Sequence, residues 1–305
     1  MEKTKLVIVC GPTASGKTSA AVELALALGG EVISADSMQV YKFMDIGTAK
    51  PTVEEQRGIP HHLISVVRPD EEYTAAHFKT DAAKKISEIA GRGKNPVIAG
   101  GTGLYIKALT QGLFDGPQAD WELRRELLEV AASKGREALH EMLKKVDPIK
   151  AASIHPNNVH RVIRAIEVFE LAGKPISSLQ KAHSFNESPY VCLKIGLDPG
   201  KEALNGAIER RVDKMVSDGL LEETKALIDM GYGYDLKPMR GLGYKEMSGF
   251  LKGEYGFEEA VSLIKRDTRL YAKRQLTWFR KDTEIKWFAP TEKEKILSQA
   301  AEFLG

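Results

Sequence analysis

Cysteine is scarce in this sequence, long apolar runs are absent, and neither sign of charge prevails. Each lack removes a class of protein. The two cysteines, Cys10 and Cys192, sit in separate apolar runs, which argues against a disulfide framework or thiolate metal site and for reduced, buried thiols. No stretch approaches the roughly 18 apolar residues that cross a bilayer. The amino-terminal "MEKTKLVIVCGP" is also too short in its apolar part for a secretory signal. A cytoplasmic enzyme without membrane association is therefore expected, and the composition suits a monomer. Lys and Arg number 44 against 42 Asp and Glu, a net charge of +2, so any polyanion-binding surface must be local. The insertion histidines His140, His155, His160 and His183 lack metal-site spacing. The adjacent His61 and His62 would point to opposite sides of a strand and could not easily share a metal. Internal repeats and low-complexity segments are missing too.

What is present is an alternation of short β-rich runs with helical patterns. The runs are "KLVIVC" (5 to 10), "EVISA" (31 to 35), "NPVIAG" (95 to 100), "YVCLKIGL" (190 to 197) and "EIKWFA" (284 to 289). Five strands separated by helices predict an α/β fold with a parallel five-stranded sheet covered on both faces. Between the third and fourth runs lies far more chain than the dozen or so residues a crossover needs. That segment, 116–189, reads as almost entirely helical and predicts an all-helical insertion into a core formed by 1–115 and 190–305. "GPQAD" and "HSFNESP" are its expected hinges, being rich in turn formers. The insertion holds 11 Lys and Arg against 10 Asp and Glu, so its charge alone names no partner.

The most informative local stretch is "GPTASGKT" between the first strand and a helix. It runs Gly11, Pro12, Thr13, Ala14, Ser15, Gly16, Lys17, Thr18 and fits the P-loop pattern. Gly11 and Gly16 allow the tight turns that aim successive N–H groups inward, and the following helix adds its positive end. Lys17 brings a point charge to the phosphates, and the Thr18 hydroxyl is placed to ligate Mg²⁺. A nucleotide does not follow from this. P-loop NTPases hold Mg²⁺ with an Asp at the end of another strand, but "NPVIAG" runs into "GTGLY" without one. An acid instead follows the second strand, where Asp36 stands at the crevice edge of a parallel sheet. By itself Asp36 could equally be a turn residue or helix cap. Gly100, Gly101, Thr102 and Gly103 suit either close approach to a ligand or simply a tight turn.

"IKRDTRLYAKRQLTWFRK" (264 to 281) is the strongest local charge feature, with seven Lys or Arg and one Asp in 265–281. At helical spacing Arg266, Arg269, Lys273 and Arg280 share a face, while Ile264, Tyr271 and Trp278 lie opposite. Such a stripe is either a solvated face or a polyanion contact. Arg161 and Arg164 form a smaller version in "HRVIRAIEV", and "RGLGYKE" (240 to 246) is a basic loop with glycines.

Seven segments, "GPTASGKT", "SADSMQVYKFMDIGTAKP", "RGIPHHLI", "AGGTGLYIKAL", "HPNNVHRVIRAIEV", "RGLGYKE" and "RLYAKRQLTWFRK", together resemble the tRNA dimethylallyltransferase (tRNA isopentenyltransferase) family in their order and across most of the chain. The resemblance implies a P-loop-kinase-like core and a helical insertion that helps clasp the anticodon stem-loop. It implies transfer of a dimethylallyl group from dimethylallyl diphosphate to N6 of the adenosine immediately 3′ of the anticodon. The tRNAs concerned read codons starting with U, the product is N6-(dimethylallyl)adenosine, and diphosphate leaves. On this resemblance the P-loop with Lys17, Thr18 and Mg²⁺ holds the diphosphate, Arg211 faces it as well, Asp36 is the general base, and Thr102 bonds near the reacting amine.

The same resemblance implies tRNA contacts from Asp36, Ser37, Met38, Gln39 and Thr102. Others come from Arg124, His160, Arg161, Val162, Ile163 and Arg164 in the insertion. The loop Arg240, Gly241, Leu242, Gly243, Tyr244, Lys245 adds a third group, and the basic stripe offers Arg269 and Lys273. Tyr41 or Tyr105 could stack on loop bases. Chain and motifs end at "AAEFLG" without a Cys and His set, so zinc is not expected and the bacterial form is. Two other functions share parts of this pattern: a small-molecule P-loop kinase, which needs ATP and an arginine lid, and a nucleic-acid-binding NTPase.

Overall fold

The computed structural model describes residues 3–114, 116–183 and 188–305. The chain divides into two compact units, Met1–Thr110 with Pro189–Gly305, and Gln111–Ser188. Asp115, the last residue of the expected core segment, and 184–187 within the expected hinge "HSFNESP" lie outside the described residues.

The larger unit is built on strands β1 (Thr4–Cys10), β2 (Gly30–Ser34), β3 (His61–His62), β4 (Asn95–Gly100), β5 (Tyr190–Leu197) and β6 (Ile285–Phe288). They form one sheet in the order β3-β2-β4-β1-β5-β6, parallel at every pairing. Among the described residues the sheet thus has six strands rather than the expected five. The addition, β3, pairs Val32 with His61 and Ile33 with His62. Two residues are too few to display a periodic pattern, so only the pairing reveals it.

Helix α1 (Lys17–Leu28) follows β1, and α2 (Val53–Gln56), α3 (Ala75–Gly91) and α4 (Gly103–Gln111) complete the first half of the unit. α1 begins at Gly16 (φ 84°) and stops at Gly29 (φ 62°), both left-handed positions that suit glycine. The smaller unit is helical: α5 (Trp121–Lys134), α6 (Arg136–Val146), α7 (Pro148–Ser153), α8 (Val159–Ala172) and α9 (Ile176–His183). After β5 come α10 (Lys201–Ser217), α11 (Leu220–Asp229), a 3₁₀ turn at Pro238–Arg240, α12 (Tyr244–Leu251), α13 (Phe257–Phe279) and, beyond β6, α14 (Lys293–Leu304). Among the described residues no helix is long and apolar enough to cross a membrane.

The continuous apolar run of β1 reflects burial on both faces of a parallel sheet. Leu6, Ile8 and Cys10 enter one core with Ile33, Ile98, Phe78 and Ile208, whereas Val7 and Val9 enter the other with Leu24, Val97 and Ile296. At the amino edge of the sheet the buried Glu31 carboxylate takes His62 Nε2 and Arg92 Nη2, each at 2.7 Å, and Lys94 Nζ at 3.2 Å. Burial opposes its ionisation, but these three partners outweigh that and hold its pKa down to about 2. The helical unit has its own core, with Leu139, Leu143, Val162, Ile163 and Ile166 at the centre.

Candidate active site

The carboxyl ends of β1, β2 and β4 open onto a cavity of about 460 Å³, where ligands of open α/β sheets usually bind. Residues Thr13 to Thr18 form one side. Gly11 lies at φ 147°, and a Cβ there would come within 2.7 Å of the Leu197 carbonyl, so the loop's root admits no side chain. Ala14 also takes a left-handed conformation, φ 62°. Lys17 Nζ folds back to donate to the Pro12 carbonyl at 2.5 Å. Burial and the nearby Arg211 charge push the Lys17 pKa down to about 8, against the pull of Asp36. Arg211, on α10, is likewise depressed by burial, with Asp36 and Glu55 opposing. Two cations crowded beside a helix N-terminus make a site that gains by taking an anion. In the same loop Ser15, 2 % exposed, has an Oγ without a hydrogen-bond partner among the described residues.

Across the cavity, Asp36 follows β2 in a turn that its own carboxylate stabilises. Asp36 Oδ1 accepts from the N–H of Met38 at 2.9 Å and of Gln39 at 3.4 Å. The turn role and the cavity position are therefore combined in one residue. Thr102 Oγ1 accepts from the Ser37 N–H at 2.9 Å and donates to Ser37 Oγ at 3.3 Å, which ties the β4 loop to the β2 loop. The approach is close because Gly100 has no side chain: a Cβ would lie 2.1 Å from the Ala35 carbonyl oxygen.

Gln275 and Tyr271 are among the cavity residues not singled out from the sequence as site residues. Gln275, on α13, accepts from Thr13 N–H at 2.8 Å and donates to Gly101 O at 2.9 Å, bridging the phosphate loop and the β4 loop. Tyr271, one turn earlier, lines the cavity, and burial raises its pKa to about 12, with the Asp36 charge adding to the shift. Helical spacing had assigned Tyr271 to the packing face; the object it faces is the cavity. Val212, Met215 and Ile264 supply an apolar wall. Tyr41 and Tyr105, by contrast, are core residues, 2 % and 4 % exposed, with Tyr105 stacked on Phe78 at 4.4 Å. They cannot offer faces to bases, because the packing that fixes them already covers those faces.

Arg240, Gly241, Leu242 and Gly243 also line the cavity. Tyr244 beside them is fully buried, its hydroxyl donating to Glu223 Oε1 at 2.6 Å. Glu223 further accepts the N–H groups of Asp45, Ile46 and Gly47, so one carboxylate pins the Gly47 to Ala49 wall to α11 and α12. Lys245 is exposed.

The remaining residues proposed from sequence are carried by α5, α8 and α13. On α8, His160 and Arg161 are exposed, Val162 and Ile163 belong to the helical core, and Arg164 is half-buried. Arg164 and Arg124 both grip the buried Glu167, at 2.5 and 2.8 Å. On α13, Arg269 pairs with Glu209 at 3.2 Å, Arg266 with Asp267 at 2.8 Å and Arg280 with Asp198 at 2.9 Å. Lys273 is exposed. Ile264 and Tyr271 of the opposite face pack inward as expected, but Trp278 is 40 % exposed, its ring lying against Gly103.

Residues 39–282 match the family model described as IPP transferase. A tRNA dimethylallyltransferase of Geobacter metallireducens is 51% identical over 303 residues, 99% of this chain and 98% of that protein. The crystal structure of a tRNA isopentenylpyrophosphate transferase from Bacillus halodurans superposes with a TM-score of 0.74 at 45% identity, covering 99% of this chain and 97% of the other. That of a eukaryotic dimethylallyltransferase acting on tRNA gives 0.78 at 31% identity, covering 98% and 77%.

Proposed function

The chain belongs to the IPP transferase family, the tRNA dimethylallyltransferases, and from that premise we propose that its cavity joins a dimethylallyl group to the N6 amine of a tRNA adenosine and releases diphosphate. The acceptor is the adenosine immediately 3′ of the anticodon in tRNAs reading codons that start with U. The observation that carries this is the convergence in one cavity of an anion cradle, Lys17 and Arg211 with the phosphate loop, and a carboxylate, Asp36, placed where a base would be needed.

Dimethylallyl diphosphate rests its phosphates on residues 13 to 18 and its hydrocarbon on Val212, Met215 and Ile264. As the allylic C–O bond breaks, charge grows on the departing diphosphate, where Lys17, Arg211 and the loop N–H groups stabilise it. The adenine N6 lone pair is delocalised into the ring and is a poor nucleophile. Asp36 takes a proton from N6 as the new N–C bond forms. Its hydrogen bonds to Met38 and Gln39 hold the carboxylate still, and Thr102, fixed by Ser37, orients the amine. A Mg²⁺ ion fits this loop, where Thr18 and the partnerless Ser15 offer hydroxyls, because Mg²⁺ takes few protein ligands and completes its shell with phosphate and water. Bound there it would neutralise diphosphate charge.

An adenine stacked in an anticodon loop cannot reach such a cavity, so it is extruded on binding. Asp36 to Gln39 and the Arg240 to Lys245 loop contact the RNA on the core, except Tyr244, which is fully buried and instead holds the loop through Glu223. On the insertion His160 and Arg161 do so from an exposed face, while Val162 and Ile163 act by fixing α8. Arg124 and Arg164 shape that unit through Glu167. The test is incubation with Mg²⁺, radiolabelled dimethylallyl diphosphate and an anticodon stem-loop, ATP omitted, followed by nucleoside analysis. Label on the adenosine 3′ of the anticodon is expected; ATP hydrolysis without label transfer would overturn the assignment.

A further inference from the structure

A second cavity, about 440 Å³, adjoins the first, and Arg240 stands in the walls of both. Helix α12 contributes two nearly inaccessible polar side chains to it: Glu246 is 1 % exposed and Ser248 4 %. Among the described residues Glu246 Oε1 and Ser248 Oγ have no hydrogen-bond partner. The other carboxylate oxygen, Oε2, accepts the Gly243 N–H at 2.8 Å and so caps the helix. Capping accounts for one oxygen and leaves the second unexplained. Lys245 Nζ is 4.0 Å from Oε1, beyond hydrogen-bond reach. A buried acceptor without a donor is costly, which makes the pair a receptor for N–H or O–H groups brought from outside.

The walls narrow the class of ligand. Arg240 is paired with Asp235 at 3.2 Å, Arg266 with Asp267 at 2.8 Å, and Lys252 lies 3.9 Å from Glu254. Lys245 is the fourth cation of the lining, so four cations face four carboxylates, Asp235, Glu246, Glu254 and Asp267, and the cavity offers an anion no excess of positive charge. Two aromatic rings flank it. Lys252 Nζ sits 4.3 Å from the Tyr234 ring centre, and Tyr255 is fixed by a hydrogen bond from its hydroxyl to the Glu246 carbonyl at 3.1 Å. Aromatic walls over an unpaired carboxylate oxygen and a hydroxyl suit a flat, uncharged heterocycle bearing N–H donors. A nucleobase is such a group.

We propose that this cavity holds a second extruded base of the anticodon loop, one that presents an amino or imino N–H to Glu246 and Ser248 while the acceptor adenine occupies the first cavity. The inference rests on the tRNA reading above, and the shared Arg240 wall keeps both sites within reach of one RNA strand.

The test removes the loop bases of an anticodon stem-loop one at a time, the acceptor excepted, and measures dimethylallyl transfer by the parent enzyme, Glu246→Gln and Ser248→Ala. Glutamine keeps an acceptor for the Gly243 N–H. At one loop position base removal should raise the parent's stem-loop KM about tenfold, yet change that of either variant less than about twofold. Penalties that add independently at every position would overturn the proposal and leave the cavity to water. Failure of the parent to label the intact stem-loop would overturn the tRNA reading and this proposal with it. A measurement free of variants uses 2-aminopurine at each position: quenching on binding at that same position is expected, and unchanged fluorescence at all of them would also overturn the site.

Discussion

Gln275 Oε1 accepts a hydrogen bond from the Thr13 N–H at 2.8 Å although 262 positions separate the two residues. The same amide donates to Gly101 O, so a single side chain sets the spacing between the loop of residues 13 to 18 and the loop that carries Thr102. Gln275→Ala would leave the part-buried Thr13 donor and the buried Gly101 acceptor unpaired, the latter at a cost of about 1–3 kcal/mol. The expected result is a fall in kcat of about tenfold to a hundredfold with the fold intact. Gln275→Glu keeps the acceptor for Thr13 and should lose less. Steady-state kinetics with both variants, alongside thermal melts, checks this.

Asp36→Asn keeps an oxygen for the Met38 and Gln39 N–H groups but cannot take a proton. It should lower kcat by about 10²–10⁴ while stem-loop affinity stays within about threefold. Single-turnover transfer and filter binding separate the two. Weakened binding with an unchanged rate would return Asp36 to a turn-stabilising role.

Lys17 has its pKa lowered to about 8 by burial and by Arg211, so it is charged below that pH and neutral above it. The kcat/KM for dimethylallyl diphosphate should therefore fall as pH rises past about 8. Lys17→Ala should lower that parameter at neutral pH and abolish this limb of the profile. A variant with the parent's profile would remove Lys17 from the mechanism.

Glu31, held down to about 2 by His62, Arg92 and Lys94 against burial, contributes stability that is fully present above its ordinary value of 4.5 and is lost as pH falls through about 2. Glu31→Gln should cost about 3 kcal/mol at neutral pH, the usual order for removing one partner of a buried ion pair. Urea midpoints of the two proteins should converge as the solution is acidified from pH 5 toward pH 2.

Arg269 and Lys273 share one face of α13, yet Arg269 already has Glu209 as a partner. Replacing both with Ala should weaken stem-loop binding and flatten the slope of log K against log salt by no more than about 1.8, since each phosphate contact is worth roughly 0.7–0.9. Titrations across a range of salt concentrations measure it. An unchanged slope would make the stripe a solvated face.

Much of the site was legible because its chemistry is local. The glycines of "GPTASGKT" set backbone angles within the loop itself, and an acid just beyond β2 falls at the crevice edge whatever packs around it. Strand positions were legible for a related reason, since burial on both faces writes a continuous apolar run such as "KLVIVC". β3 was not, having only two residues, and its existence depends on pairing with Val32 and Ile33.

By itself the sequence determined the P-loop pattern after β1, the parallel α/β core, the run of helices between β4 and β5, and the family, because backbone angles, burial periodicity and motif order act over short spans. Tertiary structure alone decided which side chains meet. Periodicity placed Tyr271 on a buried face but could not tell core from cavity, and it could not tell that Tyr41 and Tyr105 would be sealed in the core. Nor could it tell that Arg124 and Arg164 would close on Glu167, or that Gln275 would join two loops. Such pairings depend on where remote segments come to rest, and the free energy of a hydrogen bond or an ion pair depends on the distance and burial found there.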